Sequence, residues 1–575
     1  MTLEASGASV ADVRTFPSKR VYAAAIPAAL VLTTAATSYG QTPPSDKKTD
    51  GGSTALEVPE TPPLPPTPGA NAPTITGAPA PLPKAFPDEV PIALRDGVTG
   101  EPIAGWHGMF FLRSTDGNFR ISPVGDLMLD FGAWAGSNVD THPTSSGGSG
   151  LAPRFSVRRM RIGFQGDFLK RWSFAAAFDL TQSLTNPNGT EEVSAAPPGE
   201  DPTSDSARFK PAQGVDAATG LRDVWVNYSL CPCFNIMVGQ FQPPMTMENR
   251  TSDTSTPLME RSVATRSFIV PGQRETGIML WGDVLDEVFT YEVAVVGGDG
   301  QNRASVDFLP DVIGRFMFEP LKSFKSVKNF RIGVSARHGE RDPEAVAYDV
   351  VPLSTSQGFT LWNSTYKDSF NRIVHIIPSG AQNTIGGELY LPVGPVDLAA
   401  QGYYSDYHTR EAIDGYQKSN TERLGTLNGM GFTAWLTWWA FGHSRIGSPV
   451  GMSRPSKLAL KKEAELKRGL EVSALFSAVV ANYDGNDRGG DDDTKTPGST
   501  EAPETSINTY QFGLALSYWH TRSVRLSFNY GLYWVPDAHI GENLARVPGN
   551  LGATPDTEFS GDILHEFGTR VQLQL

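Results

Sequence analysis

The stretch that decides the fold is the last one of the chain, His565-Glu566-Phe567-Gly568-Thr569-Arg570-Val571-Gln572-Leu573-Gln574-Leu575. Side chains of an extended strand point alternately to its two faces. One face of this stretch therefore holds Phe567, Thr569, Val571, Leu573 and Leu575. The other face holds Gly568, Arg570, Gln572 and Gln574. This alternation is typical of a strand that closes a transmembrane β-barrel, although a half-buried strand of a soluble β-protein has it too.

The N-terminal region predicts export from the cytoplasm. Lys19 and Arg20 precede an apolar run, 21–36, and small residues follow it, which is the order found in secretory signal peptides. We assign residues 1–40 to a signal peptide. The alternative is a membrane anchor, but the run is shorter than the roughly 18 residues that a spanning helix needs.

A proline-rich segment, 41–104, separates the signal peptide from the rest of the chain. Such a composition offers little to bury and tends toward an extended conformation, so we predict a periplasmic linker. The linker is either passive or makes contact with the cell wall.

The chain has two cysteines, Cys231 and Cys233, with Pro232 between them. An exported protein meets oxidising conditions, in which the two thiols can form a bridge. Because the ring of such a bridge would be very small and strained, we favour a tight turn between two strands as the role of this segment.

Sixteen strand-like segments follow a short hairpin whose arms, 109–113 and 118–121, turn at Asp116-Gly117. These segments are 126–135, 155–167, 172–182, 221–230, 234–242, 274–282, 288–297, 310–319, 328–338, 382–391, 396–406, 428–443, 468–482, 508–520, 523–536 and 563–575. Long links, such as 183–220, alternate with short ones, such as 169–171. Outer-membrane barrels have this pattern, with short periplasmic turns and long external loops.

The two faces of the predicted strands differ in charge. The longest apolar series is Val524, Leu526, Phe528, Tyr530, Leu532 and Trp534. The charged residues that alternation places on the inward face are Arg159, Arg161, Arg315, Arg331, Arg337, Arg525, Arg570, Asp126, Asp130, Asp179, Asp223, Glu292, Glu388, Asp397 and Glu471. A packed soluble core would have to pair each of them at a high desolvation cost, whereas a water-filled lumen tolerates them. We therefore predict an all-β fold, a 16-stranded antiparallel transmembrane β-barrel over residues 105–575.

Several segments resemble the phosphate-selective porin O and P family of outer-membrane channels. They are Phe155-Ser156-Val157-Arg158-Arg159-Met160-Arg161-Ile162-Gly163-Phe164-Gln165-Gly166, Pro257-Leu258-Met259-Glu260-Arg261-Ser262, 431–436, 442–445, 512–519 and 525–530. The resemblance covers roughly residues 105–575. It implies a sixteen-stranded barrel, usually trimeric, that passes small anions passively and whose third external loop narrows the lumen. The chain departs from the family at Leu475-Phe476, where members carry a basic residue, and at Leu575, where an aromatic residue is usual.

The candidate constriction is the link 243–273, which occupies the position of that third loop. It carries Arg250, Arg261, Arg266 and, at its exit, Arg274. Arginine suits phosphate-like groups because its planar guanidinium donates hydrogen bonds in pairs. The alternative is that Arg261 and Arg274 form structural ion pairs with their sequence neighbours Glu260 and Glu275. The wall would add Arg159 and Arg161, which lie two residues apart and so share the inward face.

The one long link on the periplasmic side, 444–467, is basic. Its candidate residues are Arg454, Lys457, Lys461 and Lys462. The resemblance implies that lysines of this segment lie near the pore. A solvated helical turn with charge pairs between successive turns is the alternative.

The sequence contains no nucleotide, metal or nucleophile motif, so we predict no enzyme activity, no cofactor and no nucleic-acid partner. We predict a porin in the outer membrane of a Gram-negative-type bacterium, in contact with its lipid, through which small solutes diffuse with a preference for inorganic anions such as phosphate. The resemblance implies a homotrimer. The alternatives are a non-selective or carbohydrate-passing channel on the same barrel, and a structural surface barrel tethered to the cell wall.

Overall fold

A computed structural model describes residues 103–106, 110–136, 153–181, 220–267, 274–302, 309–322, 324, 329–342, 349–357, 360–362, 365–367, 373–412, 423–442, 468–485, 488, 504–521, 523–536 and 562–574. All of them belong to one compact unit, Ala85–Leu575. The predicted signal peptide and nearly all of the predicted linker lie outside the described residues, as do Arg454, Lys457, Lys461 and Lys462.

Two short strands, β1 (Ala104–Trp106) and β2 (Phe110–Arg113), come first. The next nine strands are β3 (Phe119–Gly136), β4 (Arg154–Phe168), β5 (Trp172–Asp179), β6 (Leu221–Cys231), β7 (Phe234–Phe241), β8 (Glu275–Val284), β9 (Phe289–Val296), β10 (Asp311–Phe318) and β11 (Arg331–Arg341). Three short strands lie in the link that follows: β12 (Leu353–Ser354), β13 (Thr360–Trp362) and β14 (Thr365–Lys367). The last seven are β15 (Ile373–Val393), β16 (Val396–Ala412), β17 (Leu424–Phe441), β18 (Gly469–Asp484), β19 (Glu504–Thr521), β20 (Val524–Val535) and β21 (Asp562–Gln574).

Strands β3 to β11 and β15 to β21 form a closed, sixteen-stranded antiparallel barrel. Closure depends on the final strand, since β21 pairs with β3 from Leu564↔Gly136 to Gln574↔Asp126. Each of the sixteen predicted segments corresponds to one of these strands. The second arm of the predicted hairpin is the beginning of β3, which pairs with β2 at Leu112↔Ile121.

The two faces of the terminal strand confirm the alternation that its sequence predicts. Phe567, Val571 and Leu573 are exposed on the outside of the isolated chain, by 47%, 41% and 43%. Arg570 and Gln572 lie inside, at 2% and 1%. An apolar outer face and a polar inner face are what a strand needs between lipid and lumen.

A disulfide joins Cys231 and Cys233 in the turn between β6 and β7. Their Cα atoms lie 5.2 Å apart, within the range that a disulfide bond spans. The preference for an unbridged turn was therefore wrong, because the segment is both a turn and a bridge. The ladder is irregular here between Ser229 and Cys231, and this bulge gives the short turn its extra residue.

The described helix α1 (Val263–Ser267) has five residues and lies in the link between β7 and β8. Among the described residues, no helix combines the length and apolarity that crossing a membrane requires.

Part of the barrel interior is an apolar core, which the alternation of the strands did not predict. Val263 and Ala264 of α1 and Val350 and Leu353 of the link after β11 belong to one buried cluster. Inward residues of the wall complete it, among them Tyr403, Leu427, Val479, Ile507 and Tyr533. Two links therefore fold inward and bury apolar surface inside the barrel.

Candidate functional site

The link between β7 and β8 lies inside the barrel, and we call its described part, residues 242–267, the inner loop. On one side it binds strands β17 and β19. The hydroxyl groups of Ser262 and Thr433 lie 2.8 Å apart, and the backbone N–H of Val263 donates to Gln511 Oε1 over 2.7 Å. Because these contacts bridge hundreds of residues of sequence, they fix the loop to the wall after the barrel has closed.

The inner loop also reaches the strand on its other side, β9. Arg250 Nη2 donates to Glu292 Oε1 over 2.8 Å, and Nη1 donates to the backbone carbonyl of Gln242 over 2.7 Å. Met247 and Leu258 pack in an apolar cluster against wall residues. Polar and apolar contacts thus hold the loop across the lumen.

Two side chains organise the loop from within. Glu248 accepts hydrogen bonds from the backbone N–H of Ser262, over 2.8 Å, and from the hydroxyl groups of Ser262 and Thr265. Arg261 donates to the carbonyls of Glu248 and Thr251, over 3.1 and 2.8 Å. Arg261 therefore cross-links the two arms of the loop.

The structure places the four predicted loop arginines in different surroundings. Arg250 and Arg261 are fully buried, and Arg274 pairs with Asp223 of β6 over 2.8 Å. Arg266 is only partly buried and donates to the carbonyls of Arg261, over 2.9 Å, and Thr355. Within the described residues, the Nη2 atom of Arg266 has no hydrogen-bond partner, and Arg266 contacts no carboxylate.

Arg261 and Arg274 do form ion pairs, as the alternative predicted, but not with their sequence neighbours Glu260 and Glu275. Arg261 pairs with Asp253 and Arg274 pairs with Asp223. Glu260 pairs instead with wall arginines, and Glu275 accepts a hydrogen bond from the backbone of Gly298 over 3.0 Å. The barrel brings distant residues together, while adjacent side chains point apart.

The carboxylate of Asp253 is the centre of the first group of ion pairs. Arg161 Nη2 lies 2.7 Å from Asp253 Oδ2, and Arg159 Nε lies 3.5 Å from it. Arg222 of β6 and Arg261 of the loop also contact this carboxylate. Four guanidinium groups therefore surround one loop carboxylate.

The carboxylate of Glu260 is the centre of the second group. Arg158 Nε lies 3.3 Å from Glu260 Oε1, and Arg159 Nη2 donates to Oε2 over 2.6 Å. Arg570 Nη2 lies 2.6 Å from Glu260 Oε1, and the Nε and Nη2 atoms of Arg570 each donate to Asp130 over 2.7 Å. The arginine cluster thus comprises Arg158, Arg159, Arg161, Arg222, Arg261 and Arg570.

The ionisation of the two loop carboxylates follows from these neighbours. Burial alone would raise the pKa of Asp253, but the charges of Arg261, Arg222, Arg161 and Arg159 outweigh it and hold the pKa well below its ordinary value. Burial opposes the charge of Glu260 in the same way, and Arg159, Arg158 and Arg570 lower its pKa well below the ordinary range. Both groups are therefore anions at neutral pH.

Two β-bulges explain why Arg158 and Arg222 escaped the sequence prediction. In the β3–β4 ladder, Met128 pairs with Arg159 and Leu129 pairs with Val157, so Arg158 has no partner residue on β3. In the β5–β6 ladder, the residue skipped in the same way is Arg222. A bulge inserts one residue and re-aims its side chain. Simple alternation places Arg158 on the lipid face with Met160, whereas the bulge turns it inward beside Arg159.

Inward charges on strands β9, β10, β11 and β15 are paired with each other. Arg315 Nη2 lies 2.6 Å from Glu388 Oε1 and its Nη1 lies 3.4 Å from Glu292 Oε2. Asp311 pairs with Arg337 and Arg341 over 2.7 and 2.6 Å. Acidic and basic residues therefore alternate along this wall rather than occupying opposite sides of the lumen.

A second inward segment, residues 349–357, lies over the inner loop, and we call it the cover segment. Glu566 of β21 accepts hydrogen bonds from Thr355 Oγ1 over 2.7 Å and from Trp134 Nε1 over 2.9 Å. Arg158 Nη2 donates to the Ser356 carbonyl over 3.3 Å. A small cavity between the two segments is lined by Met259, Glu260, Ser356, Gln357 and Glu566, among others. No periodicity in the sequence signals this segment.

Solved structures of several outer-membrane proteins resemble this one at low identity. They include OmpT of Vibrio cholerae, with 8% identity, a TM-score of 0.42 and coverage of 80% of this chain and 98% of that chain. The anion-selective porin from Comamonas acidovorans has 8% identity, a TM-score of 0.41 and coverage of 80% and 100%. The outer membrane channel DcaP of Acinetobacter baumannii has 11% identity, a TM-score of 0.38 and coverage of 81% and 99%. No curated protein sequence matches the chain.

The family match is more extensive. The model of the family "Phosphate-selective porin O and P" matches residues 144–531, about two thirds of the chain. The matched residues include β4 to β19 and the inner loop. Together with the closed barrel, this match identifies a channel of the Gram-negative outer membrane rather than an enzyme. The chain belongs to the phosphate-selective porin O and P family, and small solutes cross the outer membrane through it.

Proposed function

We propose that this porin prefers anions, phosphate among them, and that its inner loop forms the constriction. The observation that carries the proposal is the arginine cluster, which gathers six guanidinium groups where the inner loop meets the wall. A constriction lined by fixed cationic groups replaces part of the hydration shell of an anion and raises its local concentration.

The predicted site residues have different roles in this proposal. Arg159 and Arg161 contribute positive potential from the wall, and Arg266 contributes it from the loop. Arg250, Arg261 and Arg274 are buried in ion pairs and backbone hydrogen bonds, so they shape the constriction rather than line it. Arg454, Lys457, Lys461 and Lys462 would attract anions at the periplasmic exit. The homotrimer and the wall-contacting linker, 41–104, belong to the same proposal.

Arg266 offers the most direct test, because it is partly exposed and lacks a carboxylate partner among the described residues. We predict that Arg266→Gln lowers the ratio of chloride to potassium permeability about twofold, since one screened charge contributes about 0.5 kcal/mol. The measurement is the reversal potential of the purified channel in a planar bilayer under a potassium chloride gradient.

The matched control is Arg171→Gln, which removes the same charge from the exposed turn between β4 and β5. The control should keep the wild-type permeability ratio. If both variants change the ratio equally, or if Arg266→Gln leaves it unaltered, Arg266 does not act at the constriction.

A non-selective channel is the second candidate function. The alternating, mutually paired charges of β9, β10, β11 and β15 favour it, because paired charges give little net potential. A wild-type reversal potential near zero would support this candidate and contradict the preference for anions.

A further inference from the structure

We propose that Arg158, Arg159 and Arg222 form a latent binding site for small carboxylates and oxyanions, and that Asp253 and Glu260 of the inner loop occupy it as built-in competitors. This inference rests on the proposed function and refines it. The site belongs to the wall of the barrel, and the loop supplies the acids that a solute must displace. The shared chemistry of the ligands is an anion with two oxygen atoms that accept from a guanidinium fork.

The contacts form one continuous chain of alternating charge. Arg158 and Arg159 both bind Glu260, and Arg159 and Arg222 both bind Asp253. Arg159 is therefore the centre of the chain, with a carboxylate on each side. Three arginines and two carboxylates leave one positive charge in excess within this group.

Arg158, Arg159 and Arg222 differ from Arg161 and Arg570 in their ion-pair partners, because Arg161 and Arg570 also pair with carboxylates of the wall. Arg161 keeps Asp179 over 3.0 Å, and Arg570 keeps Asp130 over 2.7 Å. Within the described residues, every carboxylate in ion-pair contact with Arg158, Arg159 or Arg222 is Asp253 or Glu260. Displacing the two loop groups therefore frees three guanidinium groups together.

The placement of the site is built into the barrel strands. Arg158 and Arg222 are the inserted residues of two separate bulges, and each bulge turns a charged side chain from the lipid face to the lumen. Bulges on neighbouring parts of the wall, β4 and β6, thus converge on the same two loop carboxylates. Without the two bulges, strict alternation would point Arg158 and Arg222 toward the lipid, and of the three arginines Arg159 alone would face the lumen.

The site is more exposed at one end than at the other. The side chain of Arg158 is 31% exposed, whereas those of Arg159 and Arg222 are exposed by 12% and 8%. The small cavity beside the cover segment adjoins Glu260, the carboxylate that Arg158 holds. An incoming anion would first bind Arg158, then replace Glu260 on Arg159, and finally replace Asp253.

Competition sets the size of the expected effect. When a binding site is free for only a fraction of the time, the apparent affinity of its ligand falls by that fraction. If the loop carboxylates hold the site about nine tenths of the time, removing their charges raises the affinity for a solute anion about tenfold.

The test compares wild type with the double variant Asp253→Asn/Glu260→Gln and with each single variant. Channel conductance is measured in planar bilayers against the concentration of potassium acetate, potassium phosphate and potassium chloride. We expect the half-saturating concentrations of acetate and phosphate to fall about tenfold in the double variant, with a smaller change for spherical chloride. Acetate is the free counterpart of the aspartate side chain, and phosphate tests whether the oxyanion form binds as well.

Glu248→Gln is the matched control, because it removes one carboxylate from the same loop without touching an arginine of the site. Adding Arg222→Gln to the double variant should reverse the gain in affinity. An unchanged half-saturation, an equal change in Glu248→Gln, an equal change for chloride, or a gain that survives Arg222→Gln would each overturn the proposal. If the double variant does not form a heat-modifiable barrel, the half-saturating concentrations of the two single variants test the proposal by the same criteria.

Failure of this inference differs from failure of the proposed function. A wild-type channel that prefers potassium contradicts the preference for anions, whatever the variants do. A wild-type channel that prefers anions, combined with unchanged saturation in the variants, contradicts only the latent site.

Discussion

At the scale of single residues, the charge distribution inside the lumen depends on which arginine pairs with which carboxylate. Sequence reasoning predicted that Arg159 and Arg161 face inward and that Arg261 belongs to the inner loop, and their positions agree. It did not predict the ion pairs of Asp253, because a single aspartate in a long link carries no periodic signal. Only the closed barrel brings its carboxylate to four guanidinium groups that come from three separate parts of the chain.

Arg261 is the residue whose loss should loosen the inner loop most. Arg261→Gln removes an ion pair with Asp253 and hydrogen bonds to three loop carbonyls. Breaking a buried pair by removing one partner costs about 3–5 kcal/mol. We therefore predict faster trypsin cleavage after Arg250 or Arg266 in the folded channel, measured by mass spectrometry of the fragments. Cleavage at the rate of the Arg171→Gln control would contradict the cross-linking role.

The lowered pKa values of Asp253 and Glu260 give a pH prediction. A carboxyl group whose pKa is depressed by folding stabilises the folded loop above its ordinary pKa and loses this effect as pH falls through the folded value. The ordinary values are 3.8 and 4.5. The charged groups that face the two carboxylates are Arg158, Arg159, Arg161, Arg222, Arg261 and Arg570, with Asp126, Asp130 and Asp179 behind them.

We therefore expect the conductance to stay constant from pH 7 down to about pH 4, the ordinary carboxyl range, and to rise only at more acid pH. Bilayer conductance at stepwise lower pH checks this. A transition whose midpoint falls at the ordinary pKa of aspartate or glutamate would show that the arginines do not hold the loop.

At the scale of elements, alternation predicted all sixteen barrel strands and the long and short links between them. It could not predict the two bulges, because a bulge is defined by the register of the neighbouring strand rather than by the strand's own sequence. The alternation also could not predict the positions of the inner loop and the cover segment. Links carry no hydrophobic period, and their contacts depend on a wall that exists only after closure.

The bulge at Arg158 makes an unusual deletion tolerable. Removing Arg158 leaves Val157 next to Arg159 and restores plain alternation opposite Leu129 and Met128. We predict that this deletion folds like wild type, whereas deletion of Ile162, in a regular part of the same strand, moves the neighbouring side chains to the wrong faces. The measurement is the fraction of heat-modifiable protein after refolding in detergent. Equal folding defects in the two deletions would contradict the assignment of the bulge.

At the scale of the whole molecule, the net charge of −14 does not describe the channel. Part of the acidity lies in the link 483–507, most of which is outside the described residues, while the inner loop meets a wall rich in arginine. Sequence therefore predicted the barrel, its outward apolar faces and its inward charges. The selectivity of the lumen depends instead on how acids and bases pair across strands, which composition does not encode.

The most direct test of the whole account is the reversal potential of the wild-type channel, refolded in detergent and placed in a planar bilayer under a tenfold gradient of potassium chloride. Because arginines outnumber the competing carboxylates at the inner loop, we predict a reversal potential with the sign expected of a chloride-selective channel. A potential of the sign set by potassium would contradict the account.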